Sequence, residues 1–365
     1  MSKKQVSANH MELVFDSKRD TNLYWSSTLF SDVYLKNNLP LEYSEIWSDQ
    51  NLDFNKFVKG FIELSRNLNH ESFDNWREAE TVKTWIAPVM ELLGWEDNSK
   101  NRQNSYIDNE SFTEKIEGKN QTYRPDLIYF DKPEHKAYVQ SADDSISKIR
   151  EAKSRKSGVK IVVEAKYWNR LSSKKPDESK NNKKRNDSAS GLGPELQTLS
   201  YMSLFDLDFG ILTDGKKWRL FQKDLSQGID RRSFDFDLGR MKNLVFKLDI
   251  GNNEQKLRHY LKYFYCFFSK QTIIAKSNKK KSLVQKVFDH SQKYATNIEE
   301  DLKERFITTM SLMCNSIRKS CEKLNEDINL ETIRNVSEGH LFNLLFIKSC
   351  EVRRILPVVS TQYVR

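Results

Sequence analysis

Asp126, Glu164 and Lys166 are the residues whose types and settings best suit chemistry. Asp126 opens an apolar run, Asp126-Leu127-Ile128-Tyr129-Phe130, and Glu164-Ala165-Lys166 closes another, Val159-Lys160-Ile161-Val162-Val163. Short runs rich in β-branched residues read as buried strands. Side chains alternate along a strand, so Glu164 and Lys166 share one face while Ala165 points away. Two carboxylates at the ends of neighbouring strands converge on one point, and a strand carbonyl, here that of Ala165, can complete a set of hard oxygen donors. Magnesium takes such a set, usually one or two carboxylates with several waters retained. A cation there, with an ammonium beside it, suits phosphodiester hydrolysis. The metal neutralises the phosphate and acidifies a water, and the amine orients that water or steadies the charge on phosphorus.

Stepping outward, a helix start is signalled at 74–81 by Asp74 and the early acids Glu78 and Glu80. Val82, Trp85, Ile86, Val89, Met90, Leu92 and Leu93 follow at helical spacing, and Gly94 ends the run. Strand character is expected at 126–130, at Ala137-Tyr138-Val139 and at 159–163. The segment 196–205 reads as a helix that sets Gln197 and Tyr201 one turn apart. Phe209-Gly210-Ile211-Leu212-Thr213 and Lys217-Trp218-Arg219-Leu220-Phe221 flank Asp214-Gly215, a hairpin signal. This middle part is therefore expected to be α/β with a mixed sheet. After about residue 252 the pattern turns helical: Tyr260, Phe264, Phe267 and Phe268 share a face, as do Leu302, Phe306, Met310 and Met313. Three parts are expected, a helical N-terminal extension over 1–70, an α/β domain over 71–250 and a helical region over 251–365.

An Asp and a Glu-x-Lys also occur by chance, and the chain carries its own control. Glu151-Ala152-Lys153 repeats the tripeptide of 164–166, but it follows Ser147-Lys148-Ile149-Arg150, polar and helical in character, where its side chains would face solvent. The six histidines are scattered without ligand spacing, and no GxxxxGK[ST] phosphate loop is present. The four cysteines (266, 314, 321 and 350) form no CxxC pair, which disfavours a zinc knuckle or a secreted disulfide scaffold and fits a reducing cytoplasm. No apolar run approaches the ~18–20 residues of a membrane span. The 365 residues carry 60 Lys and Arg against 51 Asp and Glu, a net charge of +9, which favours a polyanionic partner. Between residues 151 and 185 there are twelve Lys or Arg and four acids, so this stretch holds +8 of the total. Its later part, 172–190, has the composition of a solvated loop and the charge of a phosphate-binding flap; Lys183, Lys184 and Arg185 are its densest basic run.

Taken together, these residues resemble the PD-(D/E)xK nuclease core, and in particular the N-terminal nuclease of restriction–modification enzymes of the type IIG kind. Asp126 and Glu164-Ala165-Lys166 match the motif. Glu78-Ala79-Glu80-Thr81 through Pro88 to Leu93-Gly94-Trp95 is similar to the opening helix, Gln197-Thr198-Leu199-Ser200-Tyr201 to a QxxxY motif, and 210–215 with 218–221 to the closing hairpin. The resemblance covers about 73–221. It implies Asp126 and Glu164 as Mg2+ ligands, Lys166 as the catalytic lysine, Glu80 as an auxiliary acid, and Gln197 supporting the lysine or a DNA phosphate with Tyr201 beside it. The region after 251 resembles the helical connector that joins such nucleases to a DNA adenine methyltransferase. Up to Arg365 there is no Asn-Pro-Pro-Tyr-type motif and no methyl-donor loop. The resemblance therefore implies a nuclease-plus-connector piece acting on double-stranded DNA, with a methyltransferase and target-recognition half in a longer or separate chain. The alternative is a DNA-binding or assembly part of such a methyltransferase system whose nuclease is silent.

Overall fold

A computed structural model of the chain describes residues 24–48, 50–68, 73–95, 106–108, 110–116, 119–154, 156–172, 193–226, 232–248, 253–275, 280–324 and 326–352. The described residues divide into two compact units, Tyr24–Gln292 and a second that begins at Lys293.

The larger unit is α/β. Its elements run β1 (Trp25–Ser27), α1 (Leu52–Asn67), α2 over 78–92, β2 (Tyr106–Asp108), β3 (Phe112–Ile116), β4 (Lys119–Tyr123) and β5 (Leu127–Phe130). They continue with α3 (Pro133–Gln140), α4 (Ser145–Ala152), β6 (Val159–Ala165), α5 (Pro194–Phe205), β7 (Phe209–Thr213) and β8 (Lys217–Gln222). β9 (Ser233–Asp237), α6 (Leu238–Val245) and α7 (Asn253–Phe268) complete it, with the start of a longer helix. Among the described residues, seven strands form one mixed sheet in the order β1-β9-β8-β7-β6-β5-β2, while β3 and β4 pair as a separate hairpin. β6 and β7 are parallel and joined through α5, and the other neighbours are antiparallel.

Alternation along the strands builds a core on each face. Val162 of β6 and Leu212 of β7 pack with Leu199, Met202 and Phe205 of α5. On the other face Trp218 of β8 meets Phe264 and Phe268 of α7, with ring centroids 5.3 and 5.8 Å apart, and Phe57 of α1 stacks on Phe264 at 6.1 Å. The Asp214-Gly215 turn forms as its sequence signals: Gly215 sits at φ +79, and Asp214 Oδ1 accepts the N–H groups of Lys216 and Lys217 at 3.0 and 2.7 Å. Gly94, at φ +82, ends α2.

α2 is not a regular helix. Glu78–Thr81 and Ala87–Leu92 flank a wide π turn at Val82–Ile86, in which the Ala87 N–H reaches back to the Val82 carbonyl. Pro88 follows directly. It has no N–H to donate and its ring crowds the carbonyl four residues before it, so a widened turn relieves both. The same arrangement, a π turn at Tyr34–Asn38, precedes Pro40.

One expectation is corrected. Ala137-Tyr138-Val139 lies in α3, where Pro133 occupies the first turn and only Val139 is buried, the pattern of a single helical face. The compact units part between Gln292 and Lys293. Residues 25–27 supply the edge strand next to β9, and the aromatic face of α7 is buried against the sheet, so the larger unit runs to Gln292.

In the second unit the described elements are two helices, α8 (Leu283–Leu324) from Lys293 onward and α9 (Leu330–Val352), joined through 326–329. Phe306 and Phe342 meet at 5.8 Å, and Ile333 and Leu341 are buried. No described helix is long and apolar enough to cross a membrane.

Candidate active site

Glu164 sits near the C-terminal end of β6, and Lys166 is the first residue beyond it, held by its N–H to the Thr213 carbonyl at 2.8 Å. Both are almost fully buried, at 2% and 5% exposure. A buried charge persists only when paired. Here the Lys166 ammonium lies 2.6 Å from Glu164 Oε1 and 3.8 Å from Glu78 Oε2. Asp126, half-buried, immediately precedes β5, the antiparallel neighbour of β6. Its Oδ2 accepts the Ala165 N–H at 2.8 Å, which pins the carboxylate against the end of β6. Ala165 points its buried methyl away from Glu164 and Lys166, as strand alternation requires. The resemblance casts its carbonyl as a ligand; its amide is what holds Asp126.

α5 closes the site from its own face of the sheet. Gln197 and Tyr201 are both buried. The Tyr201 hydroxyl donates to the Arg124 carbonyl at 3.1 Å and so braces the turn that carries Asp126. The first turn of α5 is fixed in its turn by Glu195, which accepts from Arg219, whose guanidinium also grips Asp235 of β9 at 2.9 and 2.7 Å. On the remaining side, Asp214 Oδ2 accepts the Leu171 N–H at 2.6 Å, and Trp85 of α2 donates to the Gly215 carbonyl at 2.8 Å. These bonds dock the segment after β6, the β7–β8 turn and α2 together, and α2 brings in Glu78.

The electrostatics follow from this crowding. Burial, with Asp126 adding to it, pushes the Glu164 carboxyl up to about 8 despite the nearby ammonium. Burial also raises Asp126, against Lys166, the Ala165 N–H and Glu164. For Lys166 burial works to lower the pKa, but Glu164, Asp126 and Glu78 outweigh it, so the amine is raised and stays charged. Tyr201 is raised by burial and then by Glu164 and Asp126. Three carboxyl groups around one ammonium cannot all stay ionised cheaply, so Glu164 holds a proton that a cation could replace. Glu164 Oε2 is buried without a hydrogen-bond partner, an orphaned acceptor of the sort a metal satisfies. Among the described residues no group of three or more His, Cys, Asp or Glu side chains is arranged to hold a metal. Mg2+ usually asks for only one or two carboxylates, and Asp126 and Glu164 supply two.

Of the expected site residues, Asp126, Glu164, Ala165, Lys166 and Tyr201 are brought together; Gln197 is buried one turn before Tyr201 on α5, and Glu80 is not at the site. Glu80 is exposed, and Glu78, two positions earlier, is the acid that reaches Lys166. The two positions lie roughly 200° apart on a helix, so one facing the site excludes the other. Glu78→Gln is expected to lower activity at this site about tenfold, and Glu80→Gln to change it less than about twofold, when turnover is compared at saturating metal. Lys183, Lys184 and Arg185 lie outside the described residues. The repeat tripeptide ends α4, with Lys153 exposed and 3.7 Å from Glu114.

Comparison of the chain with protein-family models, with curated proteins and with solved structures found no match.

Proposed function

We propose that the chain is a Mg2+-dependent endonuclease module that hydrolyses phosphodiester bonds of double-stranded DNA, built on a PD-(D/E)xK arrangement. The observation that carries this reading is the buried Glu164–Lys166 pair beside Asp126, with Glu164 Oε2 left as an acceptor lacking a partner. Asp126 and Glu164 would hold the cation, with the Ala165 carbonyl as a third oxygen. Bound Mg2+ would neutralise the phosphate and make an attacking water more acidic. Lys166 keeps its proton, so it serves as a fixed positive charge that orients the attacking oxygen and stabilises the negative charge building on phosphorus; it is not a base. Glu78 and Glu164 hold the ammonium in place, while Tyr201 keeps the Asp126 turn rigid. A target-recognition and methyltransferase half in a longer or separate chain belongs to the same reading.

Supercoiled plasmid tests it. The purified protein should convert it to nicked or linear form with Mg2+ or Mn2+ and do nothing in EDTA. Plasmid left intact with either metal would refute the assignment. A second measurement addresses the basic run. Replacing Lys183, Lys184 and Arg185 with Ala is expected to weaken duplex binding and flatten its salt dependence, by a log–log slope of about 0.9 for each phosphate no longer neutralised. An unchanged slope would mean that these three residues touch no phosphate.

A further inference from the structure

The hairpin β3–β4 stands apart from the main sheet, pairing only with itself among the described strands, and runs directly into the site: β4 ends at Tyr123, three residues before Asp126. An isolated two-stranded ribbon is marginally stable in water, and this one is anchored at its base. Phe112 is fully buried and meets Phe205 of α5 edge-on at 4.9 Å; Tyr123, its cross-strand partner, lies 6.3 Å from Tyr201. Arg124 closes that base, donating from Nε to Ser111 at 3.1 Å while its carbonyl accepts from Tyr201. The register places Thr113 opposite Thr122, with hydroxyls 3.1 Å apart, and Lys115 opposite Asn120, so these four share the face away from Phe112. Lys115, Asn120 and Thr122 are exposed.

We infer that this hairpin is a DNA-reading ribbon that enters the major groove beside the scissile phosphate. The inference rests on the nuclease reading of the adjoining site. A major groove admits a two-stranded ribbon, and the side chains on the outer face match its chemistry. Asn120 offers an amide for the adenine N6/N7 edge, Lys115 an ammonium for guanine O6/N7, and Thr122 a methyl and a hydroxyl for thymine or phosphate. The tether fixes the range. Thr122 precedes Asp126 by four residues and Asn120 by six, distances of at most ~14 and ~22 Å. At about 3.4 Å per base pair, the bases read lie within about six pairs of the cut. One ribbon with two or three base contacts gives a local preference of about tenfold, not the discrimination of a full recognition domain.

The test uses the full chain carrying Asp126→Asn, which blocks cleavage, with and without Lys115→Ala and Asn120→Ala. Binding to a fluorescent duplex in Ca2+, binding to the matching single strand, guanine-N7 methylation protection and thermal melting are measured. The hairpin substitutions are expected to weaken duplex binding about tenfold, to affect the single strand far less, and to abolish N7 protection while leaving melting unchanged. Unaltered duplex binding and protection would overturn the inference. An equal loss on duplex and single strand would also overturn it, because contacts to phosphate alone do that. Cleavage by the unsubstituted protein is followed in parallel. Hairpin-dependent duplex binding by a protein that never cuts would sink the nuclease reading and still support the ribbon as a groove reader.

Discussion

Asp126→Asn and Lys166→Ala are expected to reduce Mg2+-dependent nicking of the proposed nuclease by on the order of 10²–10³-fold or more while leaving duplex binding in place. Asparagine keeps an oxygen to accept the Ala165 N–H, so the turn before β5 stays in place and only the charge at the end of β6 is lost. The effect then reads out the proposed cation-binding role of Asp126 and not the fold. Lys166→Ala removes the positive charge around which Glu164, Asp126 and Glu78 gather. Its melting temperature should fall, because breaking a buried pair leaves uncompensated carboxylates. Lys153→Ala serves as the control. It sits in the same Glu-Ala-Lys tripeptide, but it is exposed, and its contact with Glu114 is a surface pair of little energetic consequence. Nicking by Lys153→Ala should match that of the unaltered protein. Undiminished nicking by Asp126→Asn would remove Asp126 from the mechanism.

The second large effect is on stability, and it is set by pH and metal together. Glu164 has a folded-state pKa pushed from 4.5 up to about 8. Below pH 4.5 the carboxyl is protonated in both folded and unfolded chains and contributes nothing. Between 4.5 and about 8 the unfolded chain gives up the proton while the folded one keeps it, so this group makes the protein less stable as pH rises. Above about 8 the cost is complete and constant. In EDTA, the melting temperature of the unaltered protein relative to that of Glu164→Gln should therefore fall steadily from pH 5 to pH 8. Metal reverses the trend, because a bound cation replaces the proton. Mg2+ should raise the melting temperature strongly at pH 8 and hardly at pH 5.5, and should leave Glu164→Gln nearly unaffected. Metal affinity should climb by up to about tenfold per pH unit over the same window for each proton displaced. A melting difference that ignores both pH and Mg2+ would show that Glu164 stays ionised and holds no cation.

Much of this site is legible in the sequence because strand ends leave a strong local signal. The β-branched run before Glu164 marks a buried strand, while the repeat tripeptide at 151–153 lacks one and lies at the end of a helix. The Asp214-Gly215 turn and the Gly94 stop are equally local, being set by which residues tolerate positive φ. Sequence and structure part where phase or partner is decided at a distance. Whether Glu78 or Glu80 faces Lys166 depends on the rotational setting of α2, which its π turn and the Trp85 bond to Gly215 fix together. Ala137-Tyr138-Val139 has strand-like composition, yet Pro133 and a single buried position make it helix. The β3–β4 hairpin gives little signal because Lys119-Asn120-Gln121-Thr122-Tyr123 shows almost no apolar alternation: nearly all of it is exposed. The edge strand at Trp25–Ser27 is three residues long, and its partner lies over two hundred positions away.

That last pairing has a consequence for synthesis. Trp25, Leu29 and Phe30 leave the ribosome about two hundred residues ahead of β9, yet all three are buried, Trp25 against Phe234 of β9 and Phe30 against Phe267 of α7, and Thr28 bonds to Ser233 across a separation of 205 residues. At about 5–20 residues per second, roughly 10–40 s pass before the partner strand exists. During that interval a tryptophan, a leucine and a phenylalanine have no native place to go, and once β9 emerges it remains an open sheet edge until β1 returns to cover it. The nascent chain is thus exposed to chaperone capture and edge-to-edge association at both ends of one three-residue strand, and the efficiency with which that strand closes bears directly on the yield of folded protein.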